Sequence, residues 1–396
     1  MTRFLELLIS IVIVIVLFVV VGVFLPSQRD VQNAMETNHP VRQVYDTING
    51  FKRFGDWHPL RQHDPRVRFT LSGPPTGVGA TLDYASTDPL GVGKGRWELV
   101  ESEQDMRVKF NTVNEDYGTD KVNEFTLDNK GKTVEIQWKY SVDYGWNLLG
   151  RYAGLYVNRT VGDDIKRGLG NLVGLLATMP NFDYKVLGEI VYADLPIENI
   201  LYISTTADRN ITAVDDAMSL ALTDIEAAIK ANNLEAAGAP RLITTNFGAE
   251  KYEFDIAIPV RRPDPAAAAA DGDESADADA DADAADAPVE PVAAAPAPAA
   301  APAAMPGTPV VPVAPPALTD LKLPANVLSG QSYGGRALMT DYTGHPATLP
   351  LVRDMLRSFA AAHGETVTDR AFEEYLTGMS ETAADEAKFK VYWPIQ

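Results

Sequence analysis

The sequence predicts an α+β protein: two soluble domains behind an N-terminal transmembrane helix. Three observations carry this. Leu7 to Leu25 is a run of nineteen uncharged residues. Behind it, strand-like alternation broken by Gly, Asn and Asp gives way to a long amphipathic helix, the pattern of a curved sheet gripping a helix. From about residue 183, a strand–helix–strand–strand order occurs twice, on either side of a low-complexity stretch.

The apolar run reaches roughly 28 Å as a helix, about the thickness of a bilayer hydrocarbon core. A cleaved signal peptide is the rival reading. Its apolar core usually has ~7–15 residues and ends in a small-x-small site. Here the run leads into Phe24-Leu25-Pro26-Ser27-Gln28, which offers no such site. Residues 1–28 are therefore expected to be an uncleaved anchor, with the bilayer as the partner of Leu7–Leu25. Arg3 and the α-amino group against Glu6 on one side, and Arg29-Asp30 with Arg42 on the other, give the positive-inside rule only a slight tilt toward N-in, which the short N-terminal tail of a first anchor also favours. That orientation puts the soluble part on the extracytoplasmic side of a bacterial-type inner membrane. The chain has no cysteine, which excludes disulfides, zinc–thiolate sites and cysteine nucleophiles.

The 396 residues carry a net charge of −20, unevenly spread. Between Asp264 and Glu290 there are ten acidic residues and no basic one. No basic stripe occurs anywhere, so no nucleic-acid partner is expected. The acidic segment belongs to a low-complexity stretch, 263–317, that passes from Ala-rich through Asp-Ala repeats to Ala-Pro-Val. Such a composition buries too little apolar surface to offset chain entropy. It reads as a solvated insertion, with a partner-docking tail as the alternative; no protein partner can be named from it.

In the first domain, about 31–182, Pro40 opens a helix whose apolar positions Val41, Val44, Tyr45 and Ile48 share one face. A short segment with Phe51 and Phe54 ends at Asp56-Trp57-His58-Pro59. Six strand-like stretches follow between Val67 and Tyr140. A helix of roughly Leu148 to Thr178 closes the domain, with Ile165, Leu169, Leu172 and Leu176 on its buried face.

The residues from His39 to Pro59, the Ser72–Ala80 turn, Gly150-Arg151-Tyr152, Val161-Gly162-Asp163-Asp164-Ile165 and Gly168-Leu169 carry a family likeness. They resemble the START-like helix-grip superfamily, in its polyketide cyclase/dehydrase and lipid-transport branch. The resemblance implies a deep apolar cavity between sheet and long helix, able to hold a hydrophobic ligand. A cyclase would also need a proton relay or oxyanion donors inside that cavity. His58, Glu98, Glu101, Tyr140 and Arg151 are the available groups, but no constellation is readable, so no catalytic residue is assigned. His58 reads as a rim or packing histidine, and Trp57 as a core aromatic that the family places near the cavity mouth. Trp57, His58 and Tyr140 are the candidate ligand contacts. No cofactor and no metal are implied.

In the second domain, about 183–396, strands are expected at Tyr184–Tyr192 and Asn199–Thr205. A helix follows from about Thr212, where Thr212-Ala213-Val214-Asp215 resembles a capping box. Two strands then end at Ile258-Pro259-Val260. After the low-complexity stretch the order repeats. A strand at Ala337–Tyr342 precedes a helix from about Leu349 to His363, stopped by Gly364. Strands around Ala371–Leu376 and Lys388–Trp393 end at Trp393-Pro394-Ile395. The low-complexity stretch thus interrupts one duplicated domain.

The Gly334-Gly335 and Tyr342-Thr343-Gly344 region, the Phe372-Glu373-Glu374-Tyr375-Leu376 strand and the Trp393-Pro394-Ile395 ending resemble the gyrase-inhibitor-like effector-binding domain of multidrug-sensing regulators. That likeness implies a cleft between the halves, faced by an acidic residue on the matching strand. The Glu-x-Tyr spacing assigns the role to Glu373, with Tyr375, Tyr342 and Trp393 as candidate aromatic contacts. Strand alternation puts Glu373 and Tyr375 on one face and Glu374 on the other. A carboxylate among aromatics favours cationic amphipathic ligands; a solvated strand residue is the plain alternative. No helix-turn-helix segment is present, so transcription control is not implied.

Two cavity-forming domains in series on one anchor imply a binding protein, a sensor or carrier of hydrophobic or amphipathic small molecules or lipids. A cyclase- or hydrolase-like enzyme acting in the helix-grip cavity and a non-catalytic scaffold are the alternatives.

Overall fold

The computed structural model describes residues 2–88, 91–263, 312–377 and 386–396. Most of the low-complexity stretch, expected as a solvated insertion, lies outside the described residues. The chain is mixed α+β and divides into two compact units. One comprises Met1–Ile190, Thr348–Thr368 and Ile395–Gln396; the other comprises Val191–Ala347 and Asp369–Pro394.

The first unit opens with α1 (Thr2–Phe24), whose most apolar 18 residues have a mean hydropathy of 3.5. It is long and apolar enough to cross a membrane, a property shared with signal sequences. Strand β1 (Gln28–Thr37) follows, then α2 (Val41–Ile48) and the single turns α3 (Phe54–Trp57) and α4 (Leu60–His63). Six strands come next: β2 (Arg68–Ser72), β3 (Thr81–Ala85), β4 (Lys94–Glu103), β5 (Arg107–Asn114), β6 (Thr119–Asn129) and β7 (Val134–Asp143). They form one antiparallel sheet in the order β1-β7-β6-β5-β4-β3-β2. Successive strands pair as hairpins, and only β1 pairs out of sequence, with the last strand.

Two helices complete the grip, α5 (Leu148–Ala153) and α6 (Val157–Leu176). The sequence predicted one continuous helix here. Gly154, a poor helix former, ends α5, and a new helix starts after Tyr156. The Asn147 side chain caps α5 by accepting from Gly150 N at 3.0 Å. α6 packs along β1 and the concave sheet face, burying Ile165, Leu169, Leu172 and Leu176 as its periodicity predicts. The approach is close: a Cβ on Gly168 would come within 2.6 Å of the Trp138 ring. Leu82, Leu99, Phe110, Phe125 and Ile136 of the sheet complete the core with Val44 and Ile48 of α2. Each such side chain contributes roughly 1.5–3 kcal/mol by leaving water.

β1 was not expected from sequence. Only Val31 and Met35 mark its inner face, among Arg29, Asp30, Gln32, Asn33 and Glu36. Its partner is fixed by tertiary pairing rather than by local pattern.

In the second unit the expected strand at Tyr184–Tyr192 is a 3₁₀ turn at Tyr184–Val186, within the first unit, followed by β8 (Ile190–Leu195). Then come β9 (Asn199–Asp208), α7 (Ile211–Ala231), β10 (Glu235–Ala236), β11 (Arg241–Phe247) and β12 (Lys251–Arg261). The expected capping box does not form. Asn210 caps α7 instead, its side chain accepting from Ala213 N at 2.8 Å. Past the low-complexity stretch stand β13 (Leu328–Gln331) and β14 (Gly335–Thr343), then α8 (Leu349–Ala362), β15 (Phe372–Tyr375) and β16 (Lys388–Pro394). The sheet runs β13-β9-β12-β11-β15-β16-β14-β8, with β10 paired to β12. α7 lies on β9 and β12.

α8 groups with the first unit, although the repeat pattern assigns it to the second domain. It packs on α2 and on the Tyr184 turn. The Phe359 and Tyr184 rings lie 5.5 Å apart, and Ser358 Oγ donates to Pro180 O at 2.8 Å. Gly364 ends it with φ of +68°, as its place in the sequence predicts.

Candidate ligand-binding sites

Period-two alternation decides what the first sheet turns inward. On β5 the buried side chains are Val108, Phe110 and Thr112; on β6 they are Lys121, Asn123, Phe125 and Leu127; on β7 they include Ile136 and Trp138. Register aligns them in rows: Leu127 with Ile136, Phe125 with Trp138, Asn123 with Tyr140, Thr112 with Lys121. The inward face therefore grades along the strands from aliphatic through aromatic to polar.

The aromatic part is a set of touching rings. Trp57 is 1% exposed and lies 5.7 Å from Phe125 and 5.8 Å from Trp138, both edge-on. Its carbonyl accepts from Asn171 Nδ2 of α6 at 3.0 Å. Its indole N–H has no acceptor among the described residues. His58 is half-buried, stacked on Phe54 at 4.2 Å and edge-on to Trp97 at 5.0 Å. Its Nδ1 accepts from Leu60 N at 3.3 Å, which leaves the neutral ring's proton on Nε2. Burial, assisted by nearby His63, pulls its pKa down to about 3. A ring so hard to protonate is a poor general base at neutral pH, so His58 forms part of the aromatic wall.

The polar part is bonded to itself. Trp138 Nε1 donates to Asn123 Oδ1 at 2.9 Å, and Asn123 Nδ2 donates to Thr112 Oγ1 at 2.9 Å. Lys121 Nζ donates to Asn114 Oδ1 and, at 2.7 Å, to the carbonyl of Asp116. Burial lowers the Lys121 pKa and raises those of Tyr84 and Tyr140. Sequence reading found Tyr140 but missed Lys121, Asn123 and Thr112. Their parity with Phe125, Leu127 and Phe110 was the available signal.

The remaining sequence candidates lie elsewhere. Glu98 is exposed, and Glu101 pairs with Arg107 and, at 3.7 Å, with Lys109. Arg151 donates to backbone carbonyls of α1. Of the five groups weighed for a proton relay, only His58 and Tyr140 pack against the core of the first sheet, since the buried Arg151 is turned to α1.

In the second unit, register puts Glu373 opposite Val391, and Tyr375 and Tyr342 both opposite Phe389. Trp393, two residues from Val391, shares their parity. The four predicted residues thus stand on one face of the sheet. Glu373 is 1% exposed and Tyr375 is buried, while Tyr342 and Trp393 are half-buried. Glu374 turns the other way, as alternation requires. It pairs with Arg241 at 2.9 Å and accepts from Tyr392 Oη at 3.1 Å. On that second face lies a cleft of about 170 Å³ lined by Tyr202, Arg241, Asp255, Tyr333, Arg370 and Phe372. Its charges are matched: Arg241 also meets Glu198 at 2.7 Å, and Arg370 meets Asp255 at 2.6 Å.

Residues 28–177 match the family described as polyketide cyclase / dehydrase and lipid transport. Among solved structures, the C-terminal domain of EcmrR aligns with 52% of this chain and 97% of its own, at 11% identity and a TM-score of 0.34. Norcoclaurine synthase from Thalictrum flavum aligns with 40% of this chain and 90% of its own, at 10% identity and a TM-score of 0.31. The di-domain ARO/CYC StfQ of the steffimycin biosynthetic pathway aligns with 37% of this chain and 50% of its own, at 12% identity and a TM-score of 0.30. No curated protein matches the sequence. Residues 28–177 are thus similar to that family, and their antiparallel sheet with its closing helix forms a helix-grip-like domain.

Proposed function

We propose that the protein is a membrane-anchored binding protein, a sensor or carrier, for hydrophobic or amphipathic small molecules or lipids. The observation that carries this reading is the graded inward face of the first sheet, aromatic at Phe125 and Trp138 and polar at Asn123, Thr112 and Lys121. A ligand with an apolar body and a polar or anionic end complements both parts. The acceptor-less N–H of Trp57 adds to it. A buried, unmatched donor costs about 1–3 kcal/mol, which a ligand acceptor would offset.

In this reading α1 is the uncleaved anchor and the soluble units stand outside the cytoplasm. The second unit serves as the effector-binding module. Its strand order β9-β12-β11 followed by β15-β16-β14 supports an internal duplication, because each half reads first, third, second strand from its outer side inward. Glu373, with Tyr375, Tyr342 and Trp393 on its face, is the group for a cationic ligand.

Mass spectrometry of the gently extracted full chain tests the first unit. A co-purified amphiphile, lost on Lys121→Glu, is expected. A chain that carries none and takes up none from a panel of fatty acids and phospholipids would overturn the reading.

A catalytic reading is favoured by one observation. Lys121, with its pKa lowered by burial, shares the inward face with Tyr140, a pair suited to proton transfer or carbonyl capture. Turnover of a carbonyl ligand that disappears in Lys121→Met while binding persists would establish it.

A further inference from the structure

The last two turns of α1 do not stand free of the first unit. Arg151 of α5 is 7% exposed, and its Nη1 donates to the carbonyls of Val23 at 2.9 Å and Leu25 at 3.2 Å. A cation on the unsatisfied carbonyls of a helix C-terminus is both hydrogen-bonded and favoured by the helix dipole. Tyr152 stacks on Phe18 with ring centroids 4.3 Å apart, and its hydroxyl donates to Phe18 O at 2.8 Å. A Cβ on Gly22 would meet Tyr152 and Leu148 at 3.2 and 3.3 Å, so glycine lets the two helices touch. α5 therefore runs beside α1 as far back as Phe18, about 10 Å from Leu25 along the helix axis.

Around this junction the surface is apolar and aromatic. Trp146 is 81% exposed, Tyr156 66%, Leu149 58% and Leu155 51%. The Arg151 guanidinium lies over the Trp146 ring at 5.3 Å. Four large apolar side chains within eleven residues are not scattered surface hydrophobics. Trp and Tyr with a neighbouring Arg are the side chains favoured where hydrocarbon meets headgroups.

We propose that Trp146, Leu149, Leu155 and Tyr156 form a membrane-seating platform that inserts into the headgroup–acyl boundary beside α1. The occupant follows from continuity: lipid that surrounds α1 up to Leu25 must also wet the segment packed alongside it. The platform holds one end of the first sheet against the bilayer, since Gln28 at the start of β1 pairs with Asp143 at the end of β7. Thr119 at the start of β6 also pairs with Asp143, so the Lys121 end of the graded face is the membrane-proximal one. The proposal rests on α1 spanning the membrane, and its test separates the two.

The absence of cysteine gives spin labelling a clean background. Four single-cysteine variants of the full chain, Leu149→Cys, Leu155→Cys, Val14→Cys and Met106→Cys, are labelled in phosphatidylcholine/phosphatidylglycerol vesicles. Met106 is exposed in the β4–β5 turn at the opposite end of the sheet. Collision with oxygen, which partitions into lipid, is compared with collision with a water-soluble nickel chelate. Labels at 149 and 155 are expected to favour oxygen several-fold, as at 14, while 106 favours the chelate. Oxygen at 14 with chelate at 149 and 155 would overturn the platform and leave the anchor standing. Chelate at 14 would overturn the anchor and the platform with it. Shielding of 149 and 155 from both reagents would mean that a protein covers this face, and would equally overturn the proposal.

Discussion

The two units sort their chemistry in different directions. The first grades its interior along one face of one sheet, so that ring packing at Trp57 and Phe125 passes within two rows to the polar chain Trp138–Asn123–Thr112. The second divides its chemistry across the sheet: Glu373 and Tyr375 on one face, Glu374 and Arg241 on the other. A gradient along strands suits one amphipathic molecule lying lengthwise. A division across strands lets adjacent residues take unrelated roles, because period-two alternation keeps them apart.

If the aromatic part is close-packed, its rings carry the largest effects. Phe125→Ala should cost the first unit about 3–5 kcal/mol, read from the denaturant midpoint. A loss near 1 kcal/mol would mean that the rings line a void, the space that the apolar body of a bound ligand would fill. In that polar part, Thr112→Val leaves Asn123 Nδ2 without its acceptor and should cost about 1–3 kcal/mol. No loss at all would mean that the chain of hydrogen bonds does not hold this end together.

Titration separates the same two regions by pH. With its pKa held down to about 3, His58 refuses a proton that the unfolded chain binds below pH 6.5. The unfolded state then carries more protons, so stability should fall on acidification through this window, by at most about 1.4 kcal/mol per pH unit. His58→Phe should flatten the slope between pH 6.5 and 5. An unchanged slope would place the ring in a wetter site. Lys121 has the same sign in a different window: stability should rise with pH just below 10.5, and Lys121→Met should remove that rise.

The smallest effects fall on the second unit. Glu373→Gln should weaken binding of a lipophilic cation several-fold in equilibrium titration, whereas Glu374→Gln should leave it unchanged. Glu374→Gln should instead lower stability by up to about 1 kcal/mol, since Arg241 keeps Glu198. Equal effects on binding would erase the division between faces.

Most of this architecture was legible because alternation and helical period speak directly. The hairpin strands, α6 with its Ile165–Leu169–Leu172–Leu176 face, the stop at Gly364 and the opposed orientations of Glu373 and Glu374 all follow from spacing. β1 was not legible, because its neighbours Asp30, Gln32, Asn33 and Glu36 mask the two apolar residues of its inner face. The break between α5 and α6 was hidden because both helices keep apolar residues across it. Thr112, Lys121 and Asn123 were overlooked for the opposite reason: they are polar, and only the parity of the strand says that they face inward.

The pairing of β1 with β7 has a consequence for how this protein is made. β1 leaves the ribosome directly after α1, but Gln28 and Asp143 are 115 residues apart. At ordinary synthesis rates the wait is roughly 5–25 s. During that time β2 to β6 can pair with their neighbours as they emerge, while β1 has no partner. Closure of the sheet by this non-local ladder should therefore be the late step in folding. A nascent chain arrested before Val134 should show β1 amides open to hydrogen exchange while those of β4 and β5 are protected.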